Sequence, residues 1–187
     1  QAIENIKTYT SIYGGIGTGI RILDLFAGSG AVGVAVLKHV PDATVDFGEI
    51  EEAHFPTIER NISENGIDAK RARIIRTDVW SGITDTYDCI LANPPYISRE
   101  RAGRVQDSVL THEPHVALFS DNDGFALIEK TVLNAKKHLT PSGLMYIEHE
   151  PEQADMLRKK AEASGFRVEQ RNDQYGVRRY SVLSVMA

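Results

Sequence analysis

The chain of 187 residues is poor in cysteine, in long apolar runs and in positive charge, and each shortage removes a class of function. Its one cysteine, Cys89, excludes an internal disulfide and a cysteine-rich zinc site. Lying inside an apolar strand pattern, Cys89 reads as a small buried core residue. No apolar stretch approaches the ~18–20 residues that a membrane-spanning helix needs, and no signal-peptide core is visible, so no membrane partner is expected and cytoplasm is the expected location. The formal net charge of −5 does not advertise general affinity for nucleic acid. Two local basic clusters, Lys70, Arg71 and Arg73 and then Arg99, Arg101 and Arg104, read as solvated loop faces. His112 and His115 lack a third ligand at metal-binding spacing, so no metal is expected. Repeats and low-complexity blocks are missing too.

What remains is the composition of one α/β domain with a core, 42% hydrophobic and 25% charged. Residues 1–19 are polar and glycine-rich and read as a flexible lead-in to a domain over 20–187. Strands are expected at Ile20 to Leu25, Thr44 to Gly48, Ala72 to Arg76, Tyr87 to Ala92 and Leu144 to Glu148. A closing antiparallel pair is expected at Phe166 to Gln170 and Val177 to Val185. Helices are expected at Ala31 to Val40, Glu51 to Asn65, Gly124 to His138 and Glu152 to Ser164, with Pro41, Gly66 and Gly165 as stop signals. This alternation predicts a doubly wound, mostly parallel, seven-stranded Rossmann-like sheet. Right-handed crossovers then place the carboxyl ends of the parallel strands along one edge, where ligands bind. Asp24, Glu49, Asp78 and Asn93 all fall on that edge.

The turn Phe26-Ala27-Gly28-Ser29-Gly30 follows the first strand, and Gly28 and Gly30 lack a Cβ where the backbone must bend sharply beside a ligand. No lysine follows to hold a phosphate, which excludes a P-loop. Gly33 stands where a dinucleotide fingerprint has its third glycine, so a nicotinamide cofactor has to be rejected on other grounds. Asp24 gives such a ground: a carboxylate there repels a pyrophosphate and favours a cationic sulfonium or ammonium. Glu49, with Ile50 beside it, is placed to take both ribose hydroxyls, although it also reads as one surface glutamate of the trio Glu49, Glu51 and Glu52. Asp78 can accept from an adenine amino group with Val79 packed on the ring, while Trp80 reads as core. The set suits S-adenosylmethionine better than NAD.

Asn93-Pro94-Pro95-Tyr96 follows the fourth strand. Two prolines after an apolar strand end its pairing and stiffen the turn. The Asn93 side-chain oxygen and the Pro94 carbonyl then form two fixed acceptors, a match for a planar NH2 group.

The series Leu23 to Gly30, Glu49, Asp78 and Asn93 to Tyr96 resembles a class I methyltransferase acting on amino or amide nitrogen. Glu113-Pro114, Ala117 to Phe119, Leu139 to Gly143, Glu148 to Gln153, Gly165-Phe166 and Asp173 to Arg178 resemble the HemK/PrmC family. These are the release-factor glutamine N5-methyltransferases, and the resemblance spans about residues 20 to 185. It implies S-adenosylmethionine as cofactor, held by Asp24, Phe26, Ala27, Gly28, Gly30, Glu49, Ile50, Asp78, Val79 and Asn93. It implies a peptide chain release factor as protein substrate, methylated on the glutamine of its Gly-Gly-Gln loop. Asn93, Pro94, Pro95 and Tyr96 would orient that amide, with Glu113 contacting it or supporting the loop.

Three departures bear on the substrate rather than on the fold. The helical amino-terminal domain of bacterial members has no counterpart in these residues, and their proline-rich lead-in is not recognisable in residues 1–19. The Phe26-Ala27 turn and Glu49 also occur in ribosomal RNA guanine-N2 methyltransferases, which carry Asp at the Asn93 position. A nucleic-acid amino group, adenine N6 or guanine N2, is therefore the alternative target. A catalytically silent partner subunit is the third reading. The acidic balance and the lack of clear basic grooves favour the protein substrate.

Overall fold

The computed structural model describes residues 19–95, 97–98, 119–120 and 125–186. The lead-in over residues 1–18, Tyr96 and Glu113 lie outside these described residues. Nine strands are described: β1 (Ile20–Leu25), β2 (Ala43–Glu49), β3 (Ala72–Arg76), β4 (Tyr87–Ala92), β5 (Ile97–Ser98), β6 (Phe119–Ser120), β7 (Leu139–Glu148), β8 (Phe166–Asn172) and β9 (Arg178–Val185). Four α-helices accompany them: α1 (Ala31–His39), α2 (Phe55–Glu64), α3 (Ala126–Ala135) and α4 (Ala154–Ala163).

Seven strands form one sheet in the order β3-β2-β1-β4-β7-β9-β8, and β5 pairs with β6 in parallel. Pairing is parallel from β3 through to β7, and β9 runs antiparallel to both β7 and β8. Strands covered on both faces read as near-continuous apolar runs, and β1 and β4 do so. One core holds Ile128, Val132, Leu157 and Ala161 of α3 and α4 against Leu23, Ile90 and Met145. The other holds Val34, Leu37, Ile58 and Ile62 of α1 and α2 against Ile22, Val45 and Leu91. Cys89 is buried in this second core, and burial pushes its thiol pKa far up, which leaves it inert at neutral pH.

Several boundaries move from the sequence expectation for identifiable reasons. The helix expected from Glu51 begins as a 3-10 turn, Glu52–His54, and becomes α2 at Phe55, with Pro56 in its first turn, where a missing N–H costs nothing. Residues Lys136–His138 likewise close α3 as a 3-10 turn. β7 starts at Leu139 rather than Leu144, pairing with β4 through a register shift between Tyr87 and Cys89. That irregularity accommodates Pro141. The cluster Lys70, Arg71 and Arg73 is not a simple solvated face. Arg71 donates to the carbonyls of Leu37, Val40 and Ala43 at 3.0, 2.7 and 2.9 Å, closing the carboxyl end of α1. Arg73 bridges Asp46 and Asp85 at 2.6 Å each.

Gly33 answers the question that its spacing raised. A Cβ there would be driven into the Phe47 ring and would lie 2.9 Å from Val45 Cγ1, so α1 approaches β2 through the glycine itself. Gly33→Ala is expected to destabilise the fold by about 1–3 kcal/mol, as overpacking of a tight core does. An unchanged melting temperature would show that α1 can shift without cost.

Candidate functional site

The chain winds outward from β1 through β2 to β3 and then returns to β4 on the other side of β1. Loops after β1 and β4 thus diverge at a topological switch point, the crevice where such sheets bind ligands. Leu25 and Ala92 are register partners, so the Phe26 turn and Asn93 leave adjacent strands at one level. Backbone bonds tie these loops together: Ala27 N–H to Gly48 O at 3.1 Å, Thr77 N–H to Glu49 O at 2.9 Å and Asn93 N–H to Leu25 O at 3.4 Å.

The turn itself is bent by three left-handed residues, Phe26 (φ 64°), Gly28 (φ 54°) and Gly30 (φ 75°). The two glycines adopt this freely, whereas Phe26 does so at a cost of about 1–2 kcal/mol. Val79 is also left-handed (φ 54°), an outlier for a β-branched residue. Thr77 holds it there, donating from Oγ1 to Val79 O at 2.9 Å while accepting from Gly82 N–H at 3.0 Å. Neither of these non-glycine bends was visible in the sequence pattern.

Three carboxylates meet at this edge, each in a different state. Asp24 is 3% exposed and accepts from Gly33 N–H at 2.8 Å. Burial pushes its pKa up to about 7, against the pull of the Gly33 N–H and with some help from the charge of Glu49. Glu49 is buried and clasped by backbone: Oε2 accepts from Gly28 N–H at 2.7 Å, and Oε1 from Ile50 and Glu51 N–H at 2.8 Å each. It is therefore not a loose surface glutamate. Asp78 is half exposed and ion-paired with Lys130 Nζ at 2.9 Å, a partner from α3 that the sequence reading did not foresee.

Two cavities open here. The first, about 380 Å³, is lined by Phe26, Gly28, Glu49, Ile50, Asp78, Val79, Asn93 and Pro95, together with His54, which sequence reasoning missed. Val79 reaches this cavity with little of its surface, being buried in the core below it. The second, about 420 Å³, is bounded by Asp24, Val32, Asn93, Tyr146, Glu148, Asp173, Arg179 and Tyr180. Asn93 lines both, so it stands where they meet. Of the other expected contacts, Ala27, Gly30 and Pro94 are not among the residues that line either cavity: Ala27 and Gly30 belong to the turn, where Gly30 N–H bonds Ala27 O, and Pro94 is buried. The polar wall of the second cavity comes from β7 and the β8–β9 hairpin, far from the motifs in sequence.

Among the described residues no group of three or more His, Cys, Asp or Glu is arranged to hold a metal ion. Nor is any helix among them long and apolar enough to cross a membrane. His149, although buried, is spoken for: its ring nitrogens lie 2.9 Å from Glu150 O and 2.9 Å from Ser181 Oγ. Burial lowers its pKa, consistent with a neutral structural role.

Known proteins bear on this geometry in two ways. Solved structures share the fold: a methyltransferase from Pyrococcus furiosus (TM-score 0.68, 16% identity, covering 100% of this chain and 84% of that one) and a ribosomal protein L11 methylase from Lactobacillus delbrueckii (TM-score 0.66, 15% identity, 99% and 77%). Curated relatives are nearer in sequence. The release factor glutamine methyltransferase of Streptococcus pneumoniae is 33% identical over 170 residues, covering 89% of this chain and 59% of that protein. The ribosomal protein uL3 glutamine methyltransferase of Neisseria gonorrhoeae is 36% identical over 126 residues, covering 67% and 42%. The chain thus spans about half the length of the curated relatives it matches. The Methyltransferase small domain family matches residues 16–120, more than half of the sequence and the stretch that builds the switch-point crevice, and the chain belongs to that family.

Proposed function

We propose that this chain is the catalytic domain of an S-adenosylmethionine-dependent protein-glutamine N5-methyltransferase, with the Gly-Gly-Gln loop of a peptide chain release factor as its target. The observation that carries the reading is Asn93, fixed ahead of two prolines at the junction of two cavities. The relatives named above as glutamine methyltransferases support it.

The first cavity fits the cofactor on the chemistry of its donors. Glu49, buried and ionisable, offers acceptor oxygens to ribose hydroxyls, and its Gly28 N–H bond spans the turn that the ligand must adjoin. Asp78 offers a carboxylate at the far wall, once Lys130 yields it. Asp24 bounds the second cavity rather than the first; buried without a cationic partner among the described groups, it would face the positive charge of the ligand where the two cavities share Asn93. Bound there, S-adenosylmethionine supplies an electrophilic methyl group on a cationic sulfur. The rest falls to the protein. An amide nitrogen is a weak nucleophile because its lone pair is shared with the carbonyl. Asn93 Oδ1 and the Pro94 carbonyl accept its two N–H bonds, fix its approach and stabilise the positive charge that develops on nitrogen. Tyr96 would pack against the flat amide, and Glu113 would contact it or support the loop.

A polypeptide suits the second cavity better than a nucleic-acid strand. Its described charged groups include the carboxyl groups of Asp24, Glu148 and Asp173, while Arg179 is ion-paired with Glu150 at 2.8 Å. Such a wall disfavours phosphates, which dominate nucleic-acid affinity. The test follows labelled methyl from S-adenosylmethionine into a purified release factor, the same factor with its loop glutamine changed, ribosomal protein uL3, ribosomal RNA and duplex DNA. Label on the intact factor and not on the changed one is the expected result. Label confined to nucleic acid would overturn the reading, and label on uL3 alone would move the target to that protein.

A further inference from the structure

Strand β9 runs antiparallel to β7, and that pairing carries its amino end past the ligand edge of the sheet. Ala92 is the register partner of Ile147, and Glu148 that of Tyr180, so Tyr180 stands level with the exit of Asn93. The segment 173–177, which joins β8 to β9, therefore projects beyond the carboxyl edge of the parallel strands. Asp173, which opens this tip, and Arg179, just after it, both line the second cavity. The residues between them form part of its rim.

The tip is shaped before any partner binds. Asp173 Oδ1 accepts from Tyr175 N–H at 2.8 Å and from Val177 N–H at 3.0 Å. The Asp173 N–H bonds Val177 O at 2.8 Å, and its carbonyl accepts from Gly176 N–H at 3.1 Å. Gly176 takes the left-handed conformation that the bend requires (φ 79°). Below the tip, Arg178 pairs with Asp155 at 3.3 Å and Arg179 with Glu150 at 2.8 Å, which fastens the hairpin to α4 and to the segment before it.

On this fixed tip Tyr175 is 80% exposed and Val177 37%. Val32 of α1, 46% exposed, lines the same cavity from another element. Exposed apolar side chains scattered singly need no explanation, but these three border one opening. Tyrosine offers a large contact area and loses little freedom when held, which is why it is enriched among residues that carry binding energy. A tip that is already ordered adds little ordering cost to association. Both arginines at its base are paired with carboxylates, and Glu148 and Asp173 line the opening, so a phosphate chain is disfavoured and a polypeptide favoured.

We propose that the β8–β9 tip is a docking surface for the protein substrate, with Tyr175 as its aromatic anchor and Val177 and Val32 as its apolar border. The inference rests on the reading of the second cavity as the place where the substrate presents its glutamine. It assigns substrate affinity to a residue outside both cavities: the tip holds the polypeptide flanking the glutamine, while Asn93 orients the amide.

The test uses the whole chain and a purified release factor whose loop glutamine is unmodified, with Tyr175→Ser and Tyr175→Phe as variants. Substitution at a site this exposed hardly changes stability, and melting temperatures check that both variants are folded. Tyr175→Ser is expected to raise KM for the factor about tenfold, the size of one anchoring contact. Its kcat and its calorimetric affinity for S-adenosylhomocysteine should stay within about twofold, because no tip residue lines the first cavity. Tyr175→Phe keeps the ring and should behave as the unaltered chain. An unchanged KM in Tyr175→Ser would overturn the docking role and leave the methyltransferase reading standing, as would a loss confined to kcat. An equal loss in Tyr175→Phe would assign the contact to the hydroxyl and overturn the apolar anchor. Failure of the unaltered chain to methylate or bind the factor would overturn the proposed target and the docking surface together.

Discussion

Asn93→Ala is expected to lower kcat by about 10²- to 10³-fold, the usual consequence of removing one preorganised group that stabilises charge in a transition state. The same substitution should leave S-adenosylhomocysteine affinity within about threefold. The asymmetry follows from position. On the proposed reading Glu49 and Asp78, which line only the first cavity, would carry the polar contacts to the nucleoside part, whereas Asn93 lines both cavities. Its backbone is already fixed by the Leu25 carbonyl and by the prolines that follow, so removing the side chain takes away an acceptor without loosening the loop. An amide nitrogen gains positive charge as it is methylated, and the alanine variant leaves one of its protons facing no partner. Asn93→Asp keeps an acceptor and should retain more activity than alanine. Steady-state kinetics on the methyl acceptor, paired with calorimetry on S-adenosylhomocysteine, check this. Near-normal turnover in Asn93→Ala would remove the side chain from the mechanism, and a collapse of cofactor affinity would make it a binding residue instead.

Much of this crevice could be located in the sequence because topology forces it. Ile20–Leu25, Ala72–Arg76 and Tyr87–Ala92 stand as expected, since strands within a covered sheet are short apolar runs bounded by turn residues. Once they alternate with helices, the residues after each strand must share an edge, which brings Asp24, Glu49, Asp78 and Asn93 together. The early start of β7 was hidden because Thr140-Pro141-Ser142-Gly143 has turn composition, and only pairing with β4 around an irregularity makes a strand of it. Long-range partners were equally invisible. The Lys130 ion pair to Asp78 joins residues 52 positions apart, and the polar wall from Tyr146 to Tyr180 arises because β9 folds back antiparallel beside β7. Positive φ at Phe26 and Val79 left no trace in composition, since both residues disfavour that region, and strain of this kind concentrates where a binding site demands it.

Asp24→Asn should make the free protein more stable at pH 8 and a poorer binder of cofactor at the same time. The native environment raises the Asp24 pKa from 3.8 to about 7, chiefly through burial. A proton is thus held more tightly in the folded chain than in the unfolded one, and the stability this contributes is fully present below about pH 4 and is lost as pH rises through about 7. At pH 8 the free protein carries a buried carboxylate whose contact with Gly33 N–H does not offset its desolvation. Asparagine is neutral throughout and keeps an oxygen for the Gly33 N–H. The variant should melt about 5 °C above the unaltered chain at pH 8, with the gap closing toward pH 4. A cationic ligand reverses the preference, because an ionised Asp24 then has a counter-charge in a site of low dielectric. Affinity of the unaltered chain for S-adenosylmethionine should therefore rise with pH through about 7, while the asparagine variant binds about 10- to 100-fold more weakly with a flat profile. Thermal melts and calorimetry across pH 5 to 8 read both effects. Equal affinities and parallel pH profiles would mean that Asp24 does not face the positive charge, and its burial would then be a cost without a purpose in binding. Opposite signs for stability and affinity in one substitution would mark Asp24 as a group whose fold-destabilising charge is kept because the ligand requires it.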